Sequence, residues 1–376
     1  MLSPQKTFDF FKEKGINFFT GVPDSLLKNF CAYISDNVSN NSHIIAANEG
    51  NAIALGVGHF LGTGKPPIIY LQNSGLGNTI NPLLSLADPE VYRIPLLLII
   101  GWRGEPGIKD EPQHLKQGRV TVDLLNSVEI KTFEIGPETN NPLLVIEKAI
   151  DHMEKHQSPT SLLIKKGTFE EYKSNREEGF KYELTRESAI KKILSIVDDK
   201  SVIVSTTGMT SREVYECREA SGESHEKDFL TVGSMGHTSS IAMGLALSQN
   251  DRKIICIDGD GSMLMHLGAT AIQGVTNKSN FFHILINNAA HDSVGGQPTV
   301  ANKINLTKIA SACGYEHVEK VDNIKDLDNK LKALMQLENG SKFLEILVRK
   351  GARSNLGRPS TLPIENRNNF MNNLLS

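Results

Sequence analysis

Two polar clusters close two apolar runs in the second half of the chain. Ile254-Ile255-Cys256-Ile257 stops at Asp258-Gly259-Asp260-Gly261-Ser262, and the run from Phe281 to Ile286 stops at Asn287-Asn288. If the runs are neighbouring parallel strands, Asp260 and Asn288, 28 positions apart, share the carboxyl edge of one sheet. Open α/β sheets bind their ligands at that edge. A carboxylate, an amide oxygen and a backbone carbonyl form a hard, oxygen-only site suited to Mg²⁺ carrying phosphate oxygens. The adjoining glycines let the backbone come close to a diphosphate. A calcium loop would need an acidic residue near its end, where this chain has Met263-Leu264-Met265. A nucleotide or flavin fold would need Gly-x-Gly-x-x-Gly after the first strand, and Gly21-Val22-Pro23 is no such loop.

Strands must carry these clusters, and short Ile-, Leu- and Val-rich runs recur along the whole chain. Strands are expected at 17–20, 44–47, 68–71, 96–100, 131–135 and 161–165, then at 202–205, 229–232, 254–257, 283–286, 317–321 and 343–348. Successive apolar residues, without alternation, mark strands buried on both faces, hence parallel sheets covered by helices. Helical patterns lie between them, at 23–34, 51–61 and 186–197 for example. Two groups of six strands imply two α/β domains of roughly 170–190 residues each. Charged, weakly periodic sequence near 167–184 separates them, and Thr185 has the character of a helix N-cap.

The halves resemble each other. Asn48-Glu49-Gly50-Asn51-Ala52-Ile53-Ala54-Leu55-Gly56, an apolar strand and Gln72-Asn73-Ser74-Gly75 are echoed by Met235-Gly236-His237 through Gly244, a strand and Asp258 to Gly261. Gly56 matches Gly244 at an offset of 188, and Gly75 matches Gly261 at 186. The diphosphate cluster occurs in the second half only. The stretch from Lys350 to Pro359 has neither period and carries Lys350, Arg353 and Arg358. It is either a solvated tail or an anion-binding segment that uses arginine forks.

Composition excludes several classes. With 39% hydrophobic and 22% charged residues the chain is not disordered, and a net charge of -3 gives no footprint for nucleic acid. The longest apolar run, from Ile94 to Ile100, is far too short to span a bilayer, and residues 1–6 hold no signal core, so no membrane partner and a cytoplasmic location are expected. Cys31, Cys217, Cys256 and Cys313 match neither a metal spacing nor a disulfide framework.

The whole arrangement of strand, Gly259-Asp260-Gly261, helix, strand and Asn287-Asn288 resembles the thiamine-diphosphate-dependent enzymes. The resemblance implies that Asp260, the Asn288 side chain and the Ala290 carbonyl hold Mg²⁺, which in turn holds the diphosphate of thiamine diphosphate. It implies a catalytic acid at Glu49, which read alone is a helix-start carboxylate favoured by the dipole. It places Met235 beneath the bent cofactor, with Asn73, Gly208, Met209, Gly233, Ser234, Gly259, Gly261 and Ser262 as further contacts. It also implies a homodimer or dimer of dimers in which Glu49 serves a partner's diphosphate site. Many relatives are much longer and carry a central third domain, for which this chain has no room.

The short two-domain form is similar to the phosphonopyruvate and sulfopyruvate decarboxylases. That likeness is carried by Gly21-Val22-Pro23-Asp24-Ser25-Leu26, Asn73 to Asn78, Gly101-Trp102-Arg103-Gly104, Asp110 to His114, Ala290 to Thr299 and the Leu356-Gly357-Arg358-Pro359 tail. It implies a pyrimidine-binding domain over 1–168, a linker over 169–184, a diphosphate-binding domain over 185–349 and a tail over 350–376. The reaction implied is addition of the thiazolium ylid to the 2-oxo group of 3-phosphonopyruvate, loss of CO2 and release of phosphonoacetaldehyde. Ser25, Asn73, His114, Arg353 and Arg358 are candidates to hold the substrate, and Asp24, His114 and His291 to move protons. His114 also reads as a surface-loop histidine, and Asp292 as a turn cap. Sulfopyruvate or another small anionic 2-oxo acid is the alternative substrate, and a non-catalytic binding protein of the same fold is the alternative of another class. Ala289 departs from the pattern, which expects glycine after the paired asparagines, and little consequence is expected of it.

Overall fold

Runs that are apolar at every position need cover on both faces, and that requirement shapes both halves of the molecule. The computed structural model describes residues 1–174 and 182–376. The chain divides into two units, Met1–Glu177 and Glu178–Ser376. Part of the expected linker, 175–181, lies outside the described residues.

In the first unit β1 (Phe19–Gly21), β2 (His43–Ile45), β3 (Ile68–Gln72), β4 (Leu97–Gly101), β5 (Lys131–Ile135) and β6 (Thr160–Ile164) form one parallel sheet in the order β2-β1-β3-β4-β6-β5. Alternate residues of one strand feed opposite cores. Leu97 and Ile99 pack with Phe11, Phe19, Phe30 and Tyr70 on one face. Leu98 and Ile100 pack with Ile53, Val57 and Leu71 on the other.

The second unit holds β7 (Val202–Ser205), β8 (Asp228–Leu230), β9 (Ile254–Gly259), β10 (Phe281–Asn287), a short antiparallel pair β11 (Ala290–His291) and β12 (Gln297–Pro298), β13 (His317–Val321) and β14 (Lys342–Leu347). Its main sheet is again parallel, in the order β13-β14-β10-β9-β7-β8. Read from the other edge, this is the strand order of the first unit. The likeness between the halves is therefore one of topology as well as of sequence. The α/β architecture expected from the sequence is present, and all twelve expected strands stand within two residues of their expected ends.

Two local differences have physical causes. The helix expected over 23–34 begins only at Lys28, because Asp24 Oδ2 accepts the Leu26 and Leu27 N–H groups and turns the chain there. Residues Pro363–Leu375, within the expected tail, form a helix. Its Asn366 side chain donates to the Asp228 carbonyl (2.7 Å) and accepts from the Leu230 N–H (3.1 Å), as a neighbouring strand would. Edge strand β8 is covered in this way.

Candidate active site

In the second unit, parallel register decides the geometry. Gly259 pairs with Ile286, so Asp260 and Asn287-Asn288 leave the sheet side by side at its carboxyl edge. Asp260 opens a helix and is 2% exposed. Thr299 Oγ1 donates to its Oδ2 at 2.5 Å. Burial pushes its carboxyl up to about 7, and among the described residues no ion pair reaches it. A buried carboxylate without a cation must hold a proton or gain a positive partner, and a divalent ion would be one such partner.

Asn288 is aimed by its neighbours. Its Nδ2 donates to Asp292 Oδ2 (2.7 Å), and its Oδ1 accepts the Ala290 N–H (3.0 Å). Asp292 is more than a turn cap: it also pairs with Arg186 Nη1 (3.0 Å) and accepts the Gly351 N–H (3.0 Å). Arg186 is fixed in turn by Glu213 at 2.7 Å. Ala289 bridges the asparagines and the Ala290 carbonyl with φ +53°. This is the left-handed conformation that glycine adopts without a Cβ clash, so alanine costs about 1 kcal/mol here. The departure from glycine thus has a stability consequence.

Thr206, Met209, Met235, Gly259, Asp260 and Ser262 are among the residues lining one cleft, which Arg186, Asn288, Ala290 and His291 also border. Met235 is half-buried, an apolar side chain at a polar cleft. Its loop is held by left-handed Ser234 (φ +55°) and Gly236 (φ +89°), and the Gly236 N–H donates to Ser262 Oγ at 3.1 Å. Gly208 (φ +92°) caps the helix Met209–Ser221. Gly261 admits the His291 ring, since a Cβ there would stand 2.9 Å from it. Burial lowers His291 to about 4. Asp258, beside this edge, faces the buried His283 at 3.4 Å within the core.

Residues of the first unit gather at its own carboxyl edge. Glu49 opens the helix Glu49–Thr63 behind N-cap Asn48 and is 5% exposed. Asn78 Nδ2 donates to its Oε2 at 2.7 Å. Gly75 makes its room, because a Cβ there would lie 2.2 Å from Glu49 Oε1. Burial raises its carboxyl above the ordinary range, so it holds a proton more readily than a surface glutamate. Asp24 is fully buried against Gly101, with Oδ1 lacking a hydrogen-bond partner, and burial raises it to about 6.

Asn73 is 4% exposed and wholly engaged: its Nδ2 donates to the Arg103 carbonyl and Thr121, and its Oδ1 accepts the Arg103 N–H. Ser25 Oγ accepts from Arg103 Nη1 at 2.8 Å. His114 lies in the first turn of the helix Pro112–Ser127. Its Nδ1 lacks a partner, and burial with the Arg103 charge lowers it to about 4. The tail arginine Arg353 is paired with Glu187 and Glu216, and Arg358 is exposed. Arg103 and Thr299 are not among the candidates expected from the sequence, although both lie in stretches that carry the likeness. The partner of Arg103, Asp110, lies in a loop seven residues on.

The N-terminal TPP binding domain of the thiamine pyrophosphate enzymes matches residues 5–126, and their C-terminal TPP binding domain matches residues 206–346. The phosphonopyruvate decarboxylase of Streptomyces viridochromogenes is 34% identical over 368 residues, covering 93% of this chain and 89% of that one. The sulfopyruvate decarboxylase of Methanosarcina acetivorans is 28% identical over 375 residues, 92% of this chain and 91% of that one. The beta subunit of sulfopyruvate decarboxylase from Methanococcus maripaludis is 36% identical over 192 residues, 50% of this chain and 97% of that subunit. With two thiamine pyrophosphate-binding domains and full-length similarity of this kind, the chain belongs to the thiamine pyrophosphate enzymes and is a decarboxylase, a carboxy-lyase akin to the phosphonopyruvate and sulfopyruvate decarboxylases.

Proposed function

We propose that this chain decarboxylates 3-phosphonopyruvate to phosphonoacetaldehyde and CO2, using thiamine diphosphate and Mg²⁺. The observation that carries the reading is the 34% identity to a phosphonopyruvate decarboxylase across 93% of the chain. The cation-free, buried Asp260 supports Mg²⁺ as the ion that completes the site.

When bound, thiamine diphosphate supplies a nucleophilic carbon and an electron sink for the carboxylate's electrons. The chain's part is to hold, orient and protonate. Asp260, the Asn288 amide oxygen and the Ala290 carbonyl would be the oxygen donors for Mg²⁺, and Asp292 keeps the Asn288 amide in one orientation. Glu49, raised by burial, would be the acid toward the aminopyrimidine ring, and Met235 would be an apolar support for the cofactor. Loss of CO2 leaves a carbon that must take up a proton. Asp24, at about 6, exchanges a proton near neutrality. His114 and His291, both near 4, are neutral at pH 7, so each can serve only as an imidazole that offers N–H at one nitrogen and accepts a hydrogen bond at the other.

Residues 1–168 serve as the pyrimidine side and 185–349 as the diphosphate side. The assembly is a homodimer or a dimer of dimers, in the cytoplasm. No helix among the described residues is long and apolar enough to cross a membrane. The test is aldehyde release from phosphonopyruvate, with Mg²⁺ and thiamine diphosphate each omitted in turn. Sulfopyruvate is the second reading, favoured by the similarity to the Methanosarcina acetivorans enzyme over 92% of this chain. Side-by-side turnover of the two substrates separates them.

A further inference from the structure

At the carboxyl ends of β1 to β4 the loops 21–27, 46–50, 73–78 and 102–104 contain two carboxyl groups and one cationic side chain, Arg103. Asp24 and Glu49 belong to these loops, and His114 lies close to the last of them, its ring feeling the Arg103 charge. An anionic substrate approaching this edge meets repulsion from both carboxylates unless a cation receives it.

Arg103 is built to do so. Its side chain is 19% exposed. Nε and Nη2 donate to Asp110 Oδ2 and Oδ1 at 2.8 and 2.5 Å. Asp110 is itself fixed by the N–H groups of Gly104 (2.8 Å) and Glu111 (2.7 Å). Asn73 grips the Arg103 backbone on both its N–H (3.1 Å) and its carbonyl (2.8 Å). The guanidinium is thus oriented before any ligand arrives, which lowers the entropy lost on binding. Its remaining nitrogen, Nη1, donates to Ser25 Oγ at 2.8 Å. Ser25 accepts that bond and keeps its own O–H proton to donate. A guanidinium edge beside a hydroxyl donor suits a tetrahedral oxyanion. Arg353 lies in the tail and is likewise paired, with Glu187 and Glu216.

We propose that Arg103, held by Asp110 and Asn73, is the specificity-determining residue that receives the second acidic group of the substrate, a phosphonate or sulfonate on the carbon next to the 2-oxo group, together with Ser25. The proposal rests on the decarboxylase reading above and deepens it. The test uses the full chain with Mg²⁺ and thiamine diphosphate. It measures kcat/KM for phosphonopyruvate, sulfopyruvate and pyruvate, whose methyl group carries no charge. Arg103→Met is expected to lower kcat/KM for at least one of the two acidic substrates by about 100-fold, and at least tenfold more than for pyruvate. Which acidic substrate suffers more identifies the oxyanion. Arg103→Lys keeps the charge without the fork and should fall between. Ser25→Ala should shift the ratio in the same direction by less, and stands in if Arg103→Met does not fold. Equal losses for charged and uncharged substrates, or no loss, overturn the proposal. Calorimetric titration with phosphonoacetate provides a readout without turnover. An affinity at least tenfold weaker in Arg103→Met or Arg103→Lys supports the proposal, and equal affinity or no binding to either protein overturns it. If the unmodified protein turns over no 2-oxo acid yet its phosphonoacetate affinity depends on Arg103, the reaction assigned above fails and the oxyanion site stands.

Discussion

Glu49 and Asp24 are carboxyl groups that the fold has taken out of water, and they differ in what remains around them. Glu49 keeps one amide donor and a space made by Gly75, the setting of a group that exchanges hydrogen bonds with a ligand. Glu49→Gln should therefore lower kcat by 10²-fold or more, with a melting temperature no lower than that of the unmodified protein. Unaltered turnover in a steady-state assay would contradict the role. Asp24 lets the sign of a pH effect be worked out. Its folded value, about 6, lies above the ordinary 3.8, so the protonated form favours the fold. The stabilisation is complete below the unfolded value and is lost as pH rises through about 6. Asp24→Asn mimics the protonated form. Its stability advantage over the unmodified protein, from urea denaturation, should grow between pH 4 and pH 7.5 by up to roughly 3 kcal/mol. Parallel profiles would show that Asp24 titrates as an exposed aspartate does. Ala289→Gly should stabilise by about 1 kcal/mol by relieving the left-handed strain, read as a rise in melting temperature.

At the scale of elements, the loop from Asn287 to Thr299 works as a single frame. Asp292 ties together the Asn288 amide, Arg186 and the start of the tail at Gly351, while Thr299 reaches back to Asp260. Asp292→Ala should weaken Mg²⁺ affinity by about 10- to 100-fold. Calorimetric titration in the presence of thiamine diphosphate measures this, and unchanged affinity contradicts the frame. The strands themselves could be read in advance because runs such as Leu96 to Ile100 are apolar on both faces. The paired ends Asp260 and Asn288 followed from that reading. What the chain did not display was side-chain partnership across distance. Arg353 reads as part of a solvated tail or of an anion-binding segment, since nothing local marks Glu187 and Glu216 as its partners. Arg103 stands in a stretch that carries the likeness, but no role at the site is legible there because Ser25, 78 residues earlier, meets it only in the fold. The delayed helix start at Lys28 came from Asp24 serving its own turn, a local competition that apolar periodicity does not register.

At the scale of the whole molecule, two units share one strand order, yet only the second carries the Asp260–Asn288 edge, and only the first carries Glu49. On the proposed mechanism both are needed. If Glu49 of one chain serves the diphosphate site of another, mixing Glu49→Gln with Asp260→Ala chains after dissociation should restore up to about a quarter of full activity, because random pairing makes half the dimers mixed and each mixed dimer has one intact site. No recovery, with light scattering showing mixed assemblies, would place both groups of a site on one chain. The central claim is tested most directly by incubating the purified protein with phosphonopyruvate, Mg²⁺ and thiamine diphosphate and following phosphonoacetaldehyde. The account predicts aldehyde and CO2 in equal amounts, and loss of both when either cofactor is withheld from protein stripped of metal and cofactor. Absence of aldehyde with all components present would contradict it.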